Sequence, residues 1–492
     1  MIFNNKNEEI VAEGFTAKEW IDLLKGDKQK DAARALNYFD GQQEKELIDV
    51  LNDPYRGRAE WKRKGITPRF RNLTKMIVEK SGLLFKEAAP VLEVFKQNEV
   101  TADEAPTQFV AEELAKLEWA EFANNLDQTV RLLKTALVLV QWDADDRQLT
   151  LDILHRGNCE VVINPATRKP RALIQRYSDE GDYAIWTLEE RIFLKQSSDG
   201  AIQVTEREPN PYGVVPVAVF YDTNAPRTGF WVEQDKSIVN LNEMVNLHIT
   251  DSEYSIKWSK LSTGITNMRP AGGQAASETI GSGADTDAVT VLGGPGEVVV
   301  LDSMGVESPF FKYEAPQIDL LSLDNVVNTW IQSCAADWSV KVHTTNQTAA
   351  NSGFQLMVEE MSNLDLRKQR QRMFENSFKR FYRVVSRILN VAYGRNVLDE
   401  QAEMFAKFAS PALPVDQAAQ EEIWSKKISE GRATVIDYFM QVEGMSKEEA
   451  LSKYEEIKAF KEAAAPVASP EPLIDHANSI TEQQSNSQAL SQ

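Results

Sequence analysis

Two long helical patterns, residues 235–261 and 319–339, bracket a glycine- and serine-rich stretch, and that bracket limits the folds open to the chain. In the first, Ile238, Leu241, Val245, Ile249 and Ile256 form one apolar stripe, with Asp235 placed to cap its start. At 1.5 Å per residue such a helix reaches roughly 40 Å. In the second, opened by Asp319, the residues Leu320, Leu323, Val327, Trp330, Ile331, Cys334 and Trp338 fall on one face. Between them GGQAASETIGSGADTD has a mobile composition and is followed by a short β-like stretch, AVTVLGGPGEVVVLDS. Residues 271–315 carry too little apolar content for a core of their own and need a neighbour to pack against.

Upstream, the chain begins helical. Thr16-Ala-Lys-Glu19 fits a capping box ahead of Trp20, Ile21 and Leu24, with a stop at Gly26. Helical spacing follows over 31–51, Leu73–Phe85 and Gln108–Leu139. From Leu149 to Tyr221 the apolar residues instead alternate or come in short runs (LTLDIL, CEVVI, RALIQRY, YAIWTL, RIFLK, AIQVTE, VVPVAVFY). Turn signals such as Asn164-Pro165 and Asp199-Gly200 separate them, which predicts a meander of antiparallel strands. One α+β domain over 1 to about 230 is the simplest reading.

Downstream, KVHTTNQTAANSG (341–353) is polar and turn-rich. Ser352-Gly-Phe-Gln355 then fits a capping box for the longest helix in the chain, to about Tyr393. Its stripe of Met357, Met361, Leu364, Phe374, Phe378, Phe381, Val385 and Ile388 is interrupted near Lys368 and Gln371, where a bend is expected. Helical segments fill 396–465, the last capped by Ser446-Lys-Glu-Glu449, and the Gln/Ser/Asn-rich end from 466 reads as disordered. The fold class expected is α+β, predominantly helical.

Chemistry is scarce. The sequence has no GxxxxGK[ST] phosphate loop, GxSxG, HExxH or Rossmann glycine fingerprint. Two distant cysteines and four scattered histidines give a zinc site almost no raw material. Asp143, Asp145 and Asp146 read as a solvated turn, and Asp251 and Glu253 as helix-surface charge. No catalytic residue, cofactor or metal is expected. The start lacks a secretion signal and no apolar stretch spans a bilayer, so no membrane partner is expected and the protein reads as soluble and intracellular when made.

Fifty-four basic residues face 74 acidic ones, a net charge of -20 that repels polyanions. Two segments run against that balance. Between Asp53 and Lys86 lie Arg56, Arg58, Lys62, Arg63, Lys64, Arg69, Arg71, Lys75, Lys80 and Lys86; between Leu364 and Arg395 lie Arg367, Lys368, Arg370, Arg372 and five more. Their partner is either packaged DNA or acidic segments of this or a neighbouring subunit. The second reading is favoured, because both segments carry core aromatics along which Arg stems can pack.

The order of elements is the specific signal. A strand meander ends in PNPYGVVPVAVFYDT (209–223), then come DKSIVNLNEMVNLHITDSEYSIKWSKL (235–261), a Gly-rich insert and another helix. TTNQTAANSG (344–353) runs straight into FQLMVEEMSNLDLRKQRQRMFENSFKRF (354–381), and ALNYFDGQQ (35–43) with Asn72 and Lys75 stands near the start. This layout resembles the portal proteins of tailed bacteriophages, the class of roughly 500-residue subunits, over about residues 30–465.

The resemblance implies a portal-type fold with wing, stem, clip and crown. Residues 1–234 would be most of the wing, 235–263 and 316–340 the stem helices, and 264–315 the clip facing the packaging motor. Residues 341–353 would be the tunnel loop, 354–395 the long wing helix, and 396–465 the helical crown inside the capsid, with 466–492 a tail. His343, Thr344, Thr345, Asn346 and Gln347 would face DNA from the tunnel loop and Lys257 and Lys260 from the stem; Arg367, Lys368, Arg370 and Arg372 would touch DNA or a subunit. The function implied is a non-enzymatic ring, twelve-fold in the family, at a capsid vertex of the virion, assembled in the host cytoplasm. Double-stranded DNA is packaged and ejected through it. Its other partners would be the terminase large subunit, a head-tail adaptor, and the major capsid and scaffolding proteins.

Two rivals stand beside it. Another virion structural protein, a tail adaptor or capsid component, fits less well, because long helices flanking a mobile insert suit a ring stem better than a shell lattice. A DNA-packaging enzyme would need a carboxylate metal cluster or a phosphate loop, and the sequence offers neither.

Overall fold

The switch from helix to sheet falls at Lys134, whose backbone is left-handed (φ 66°). In the computed structural model the described residues are 10–53, 67–260, 263–266, 298–300, 311–314, 319–342, 353–409, 417–442 and 447–464, apart from Asn98, Val100 and Asp179. The described residues form an α+β structure of mixed helix and strand. It divides into two compact units, Met1–Leu413 and Pro414–Gln492.

The first unit opens with a two-stranded ribbon, β1 (Ile10–Ala12) and β2 (Phe15–Thr16), and a short helix α1 (Ala17–Asp22). The expected capping box is present: Glu19 N–H donates to Thr16 Oγ1, and Thr16 N–H to the Glu19 carboxylate at 2.8 Å. The segment read as one helical stretch over 31–51 is two helices, α2 (Asp27–Phe39) and α3 (Glu44–Asn52), parted by a turn with Gly41 at φ 77°. Then follow α4 (Leu73–Lys80), strand β3 (Val91–Phe95), α5 (Glu104–Ala115) and α6 (Trp119–Leu133).

The helical reading of Gln108–Leu139 fails past Leu133. Thr135–Asp143 is a strand, β4, and its first six residues are all buried. A strand covered on both faces shows an unbroken apolar run, here ALVLV, and such a run has no period that separates it from a buried helix.

The seven runs between Leu149 and Tyr221 are all strands: β5 (Gln148–Leu154), β6 (Cys159–Ile163), β7 (Pro170–Arg176), β8 (Asp182–Trp186), β9 (Glu190–Gln196), β10 (Ile202–Pro209) and β11 (Val217–Tyr221). They do not form one meander. Strands β6 to β10 make a five-stranded antiparallel sheet, while β11 returns to pair with β4 in a second sheet of order β11-β4-β5. Helix α1 covers the first sheet, with Trp20 and Ile21 buried among Ile174, Ile185 and Ile192.

The insert contributes three short strands, β12 (Thr263–Thr266), β13 (Val298–Val300) and β14 (Phe311–Glu314), with β12 central. Around it lie α7 (Ser237–Lys260) and α8 (Leu320–Asp337), followed by a 40-residue helix, α9 (Gly353–Ala392). Asp319 caps α8 as expected, accepting the Ser322 N–H at 3.1 Å. Helix α9 lies on the β11-β4-β5 sheet. Phe374, Phe378 and Phe381 meet Phe220 of β11 at ring separations of 5.6, 5.4 and 6.3 Å, spacings that favour tilted and edge-on aromatic pairs.

The helical reading of 396–465 fails at its start. Glu403–Lys407 is a strand, β15, paired antiparallel with β3, and it belongs to the first unit. Its five residues alternate in burial, too short a run to stand out among helical neighbours. The second unit is helical where described: α10 (Gln417–Ser429), α11 (Val435–Gln441) and α12 (Lys447–Ala464). Thr434 and Asp437 close a capping box on α11. The boxes expected at Ser352 and Ser446, and the tail 466–492, lie outside the described residues.

Candidate functional site

The two helices expected to form a stem do pack together, but over only half their lengths. Ile238, Leu241 and Val245 of α7 are buried with Ile331, Cys334 and Ala335 of α8, so the start of α7 meets the end of α8. Farther along the pair the apolar residues face outward. Leu321 is 75% exposed, and Leu323, Val326 and Ile256 are exposed as well, whereas Trp330 rests on the His248 ring of α7 at 5.5 Å between centroids. Leu321, Leu323 and Val326 are hydrophobic side chains left partly uncovered in a single copy.

A row of polar side chains on α7 holds the segment before α4. Asn242 accepts the backbone N–H groups of Leu73 (2.7 Å) and Thr74 (2.9 Å) and donates to the Arg71 carbonyl (2.8 Å). One turn on, Asn246 accepts the Arg71 N–H at 2.7 Å, and after another turn Thr250 accepts that of Arg69 at 3.0 Å. Glu253 completes the row as helix-surface charge, pairing with the exposed Arg69 guanidinium. Residues i, i+4, i+8 and i+11 share one helix face, which is why four side chains line up along one extended segment.

The end of α8 is anchored by a buried charge cluster. Asp127, Arg131 and Lys134 project from one face of α6 and its end, Asp222 follows β11, and Arg370 comes from α9. Arg370 is 0% exposed; its Nη2 lies 2.5 Å from Asp127 Oδ1 and its Nε 2.5 Å from Asp222 Oδ1. Arg131 donates to Asp222 Oδ2 (2.8 Å), to Ser81 Oγ (2.9 Å) and to the Trp338 carbonyl (3.2 Å). Lys134 Nζ is 3.0 Å from Asp222 Oδ2. Arg131 and Lys134 both sit on the Trp338 ring, 4.5 and 4.2 Å from its centroid, close enough for cation–π attraction.

Burial of this cluster displaces its titrations. Burial alone would raise the Asp222 carboxyl, but Arg370, Lys134 and Arg131 together reverse that and hold it well below the usual carboxylate range. Burial lowers Lys134, and Asp222 only partly offsets it, leaving the ammonium at about 8. Arg370 stays charged, because Asp127 and Asp222 outweigh its desolvation.

Directly after this anchor α8 stops. Ser339 is left-handed (φ 59°), Val340 N–H donates to the Ala335 carbonyl at 2.8 Å, and Ser339 N–H to that of Ala336 at 2.8 Å. That is the double-bonded helix ending in which glycine is the usual left-handed residue. The polar stretch 341–353 therefore leaves from a fixed end.

The structure disposes of the sequence candidates unequally. His343, Thr344, Thr345, Asn346 and Gln347 lie outside the described residues. Lys257 and Lys260 are in the last turns of α7, and their side chains are outside the description. Arg370 and Arg367 do not reach outward: Arg370 is locked in the cluster, and Arg367 donates to the carbonyls of Leu84 (3.2 Å) and Ala409 (2.7 Å). As DNA or subunit contacts they are corrected to intramolecular ones. Lys368 and Arg372 are exposed. Lys379 and Arg387 pair with Glu403 (2.7 Å) and Glu400 (3.0 Å) of the same chain.

The interruption of the α9 stripe has the same origin. Arg370 lies one turn before Phe374 and occupies the core side, so the stripe changes from ionic to apolar without a break in the helix. Asp143 spends its carboxylate on its own turn, accepting the N–H groups of Asp145 and Asp146. Among the described residues no cluster of His, Cys, Asp or Glu could hold a metal ion, and no helix is long and apolar enough to cross a membrane.

No protein-family model matches the chain, and no curated protein matches it. Among solved structures, similar chains occur in gene transfer agent (GTA) particles. One is from the virion of the native particle (12% identity, TM-score 0.37, covering 78% of this chain and 92% of that one). A second is from the neck of the empty particle computed with C6 symmetry (11%, 0.36, 76% and 90%). A third is from the neck of the native particle computed with C12 symmetry (11%, 0.34, 77% and 91%). Likenesses this distant decide nothing about what the chain does.

Proposed function

We propose that the chain is a portal subunit: a non-enzymatic virion protein whose copies close into a ring at a capsid vertex, with double-stranded DNA passing through the centre. The reading is carried by the helix pair α7–α8, buried at one end and bare at the other. Leu321, Leu323 and Val326 are 75%, 41% and 45% exposed on α8 while Ile331, Cys334 and Ala335 of the same helix are buried. Covering the area still exposed is favourable, by less than the roughly 1.5–3 kcal/mol that full burial of such a side chain is worth. Copies of the same pair, set side by side around an axis, are the occupant that the bracket of two helices about one insert suggests.

Charge supports the same reading. A pore that conducts DNA must not grip it, since every retained phosphate contact adds salt-sensitive drag. A subunit of net charge -20 meets that need. In this assembly 264–315 would form the clip, 341–353 the tunnel loop, and Lys257 and Lys260 would lie along the stem. Terminase, head-tail adaptor, capsid and scaffolding proteins would be its partners.

Electron microscopy of the purified full chain, with sedimentation to count copies, tests the reading. The expected result is an end-on ring with a central channel. Only compact single molecules under every assembly condition would overturn it.

A further inference from the structure

The basic segment between Asp53 and Lys86 is not fully absorbed by the fold. Its later lysines line an open groove of about 520 Å³ between α4 and α6, within the first unit. Lys75, Lys80 and Lys86 stand on its wall together with Asn124 and Gln128, and among the described residues Glu79 is the one carboxylate lining it. Lys75 lies a loose 3.9 Å from Glu79. Lys80 and Lys86 are exposed and, among the described residues, have no carboxylate partner. In a chain with 74 acidic residues, three lysines lining one groove is a local reversal of sign.

Asn124 and Gln128 of α6 line the same groove, and their side-chain amides can donate as well as accept.

We propose that this groove binds phosphate groups, through the ammonium groups of Lys75, Lys80 and Lys86 and the amides of Asn124 and Gln128. Lysine meets phosphate as a point charge, and the groove is wide enough for a phosphate and its substituents. The ligand is either the backbone of duplex DNA or a free phosphate compound. The inference stands on the groove alone and does not need the ring.

Binding of a fluorescent 12-base-pair duplex and of pyrophosphate to the full chain, by anisotropy and calorimetry, tests it. The variants are Lys80→Gln/Lys86→Gln, the triple with Lys75→Gln, and Lys45→Gln as a control on exposed α3; circular dichroism melts confirm that each is folded. The double variant is expected to weaken binding tenfold or more, the control to leave it unchanged. The slope of log affinity against log salt for the duplex should be about -2 to -3, as for two or three neutralised phosphates. Binding of duplex only assigns the site to DNA, and retention of pyrophosphate assigns it to free phosphates. Absence of binding, binding indifferent to the lysines, or equal competition by polyglutamate overturns the proposal.

Discussion

Arg370 and Asp222 meet through Nε and Oδ1 at 2.5 Å, both wholly buried, from positions 148 residues apart. The contact ties α9 to the end of β11. Through Arg131 and Lys134 the same carboxylate also reaches the Trp338 ring at the end of α8. Three stretches of chain thus share one acid.

Removing the guanidinium takes from Asp127 its cation, while Asp222 keeps Arg131 and Lys134. Arg370→Met is expected to cost about 3–5 kcal/mol, the usual penalty for breaking a buried pair from one side. Adding Asp127→Asn should recover part of the loss, because it removes a charge left without its partner. Urea denaturation of the two variants and the wild type measures both, and a loss under 1 kcal/mol would contradict the burial described.

Lys134 sets a pH dependence on the alkaline side. Its folded value of about 8 is below the ordinary 10.5. Between those two values the unfolded chain holds a proton that the folded chain has released, so stability from this group rises with pH across that window. Below pH 8 the cost of burying the charge is complete. Lys134→Met removes the titration. Wild type should therefore gain on the variant by up to roughly 3 kcal/mol between pH 8 and 10.5, at about 1.36 kcal/mol per unit; a flat difference in parallel denaturation curves would refute the assignment.

Ser339 holds a backbone angle that suits glycine. Ser339→Gly should raise stability by about 1 kcal/mol, because the left-handed conformation costs an L-residue that much or more. A rise in thermal midpoint checks it, and a fall would show that the serine hydroxyl contributes more than the backbone loses.

The bare face of α8 should matter between copies and not within one. Leu321→Ser, Leu323→Ser and Val326→Ser are expected to cost the monomer no more than about 0.5 kcal/mol each, as exposed positions usually do. The same changes should shift sedimentation towards single copies. Unchanged assembly in the triple variant would remove this face from any interface.

Much of the architecture was legible because period and burial coincide. Helices α7 and α8 begin within a residue or two of where their stripes and Asp235 or Asp319 placed them, and all seven runs from β5 to β11 are strands. What escaped was structure whose signal is not periodic. Buried on both faces, β4 shows a plain apolar run, and β15 acquires its identity only from β3, more than 300 residues earlier. The charge cluster was legible in part: ion pairing was the favoured reading of the segment holding Arg370, and Arg370, Lys379 and Arg387 do pair within the chain, but nothing placed these charges in the core, where basic residues are rare. A signal was present, since Asp127, Arg131 and Lys134 recur at i, i+4 and i+7, and Arg370 lies four residues before Phe374 on a core stripe. Charges at core spacing are a request for partners, but spacing alone does not say that Asp222 answers.

The pairing of β15 with β3 decides where the polypeptide can be shortened. A chain cut before Glu403 would strip Val91–Phe95 of the one strand neighbour it has among the described residues and bare a row of backbone donors and acceptors, an invitation to strangers. Such a fragment would clump rather than behave as a tidy piece. The severable portion begins after Leu413, and a stop codon placed there should yield the cleaner protein.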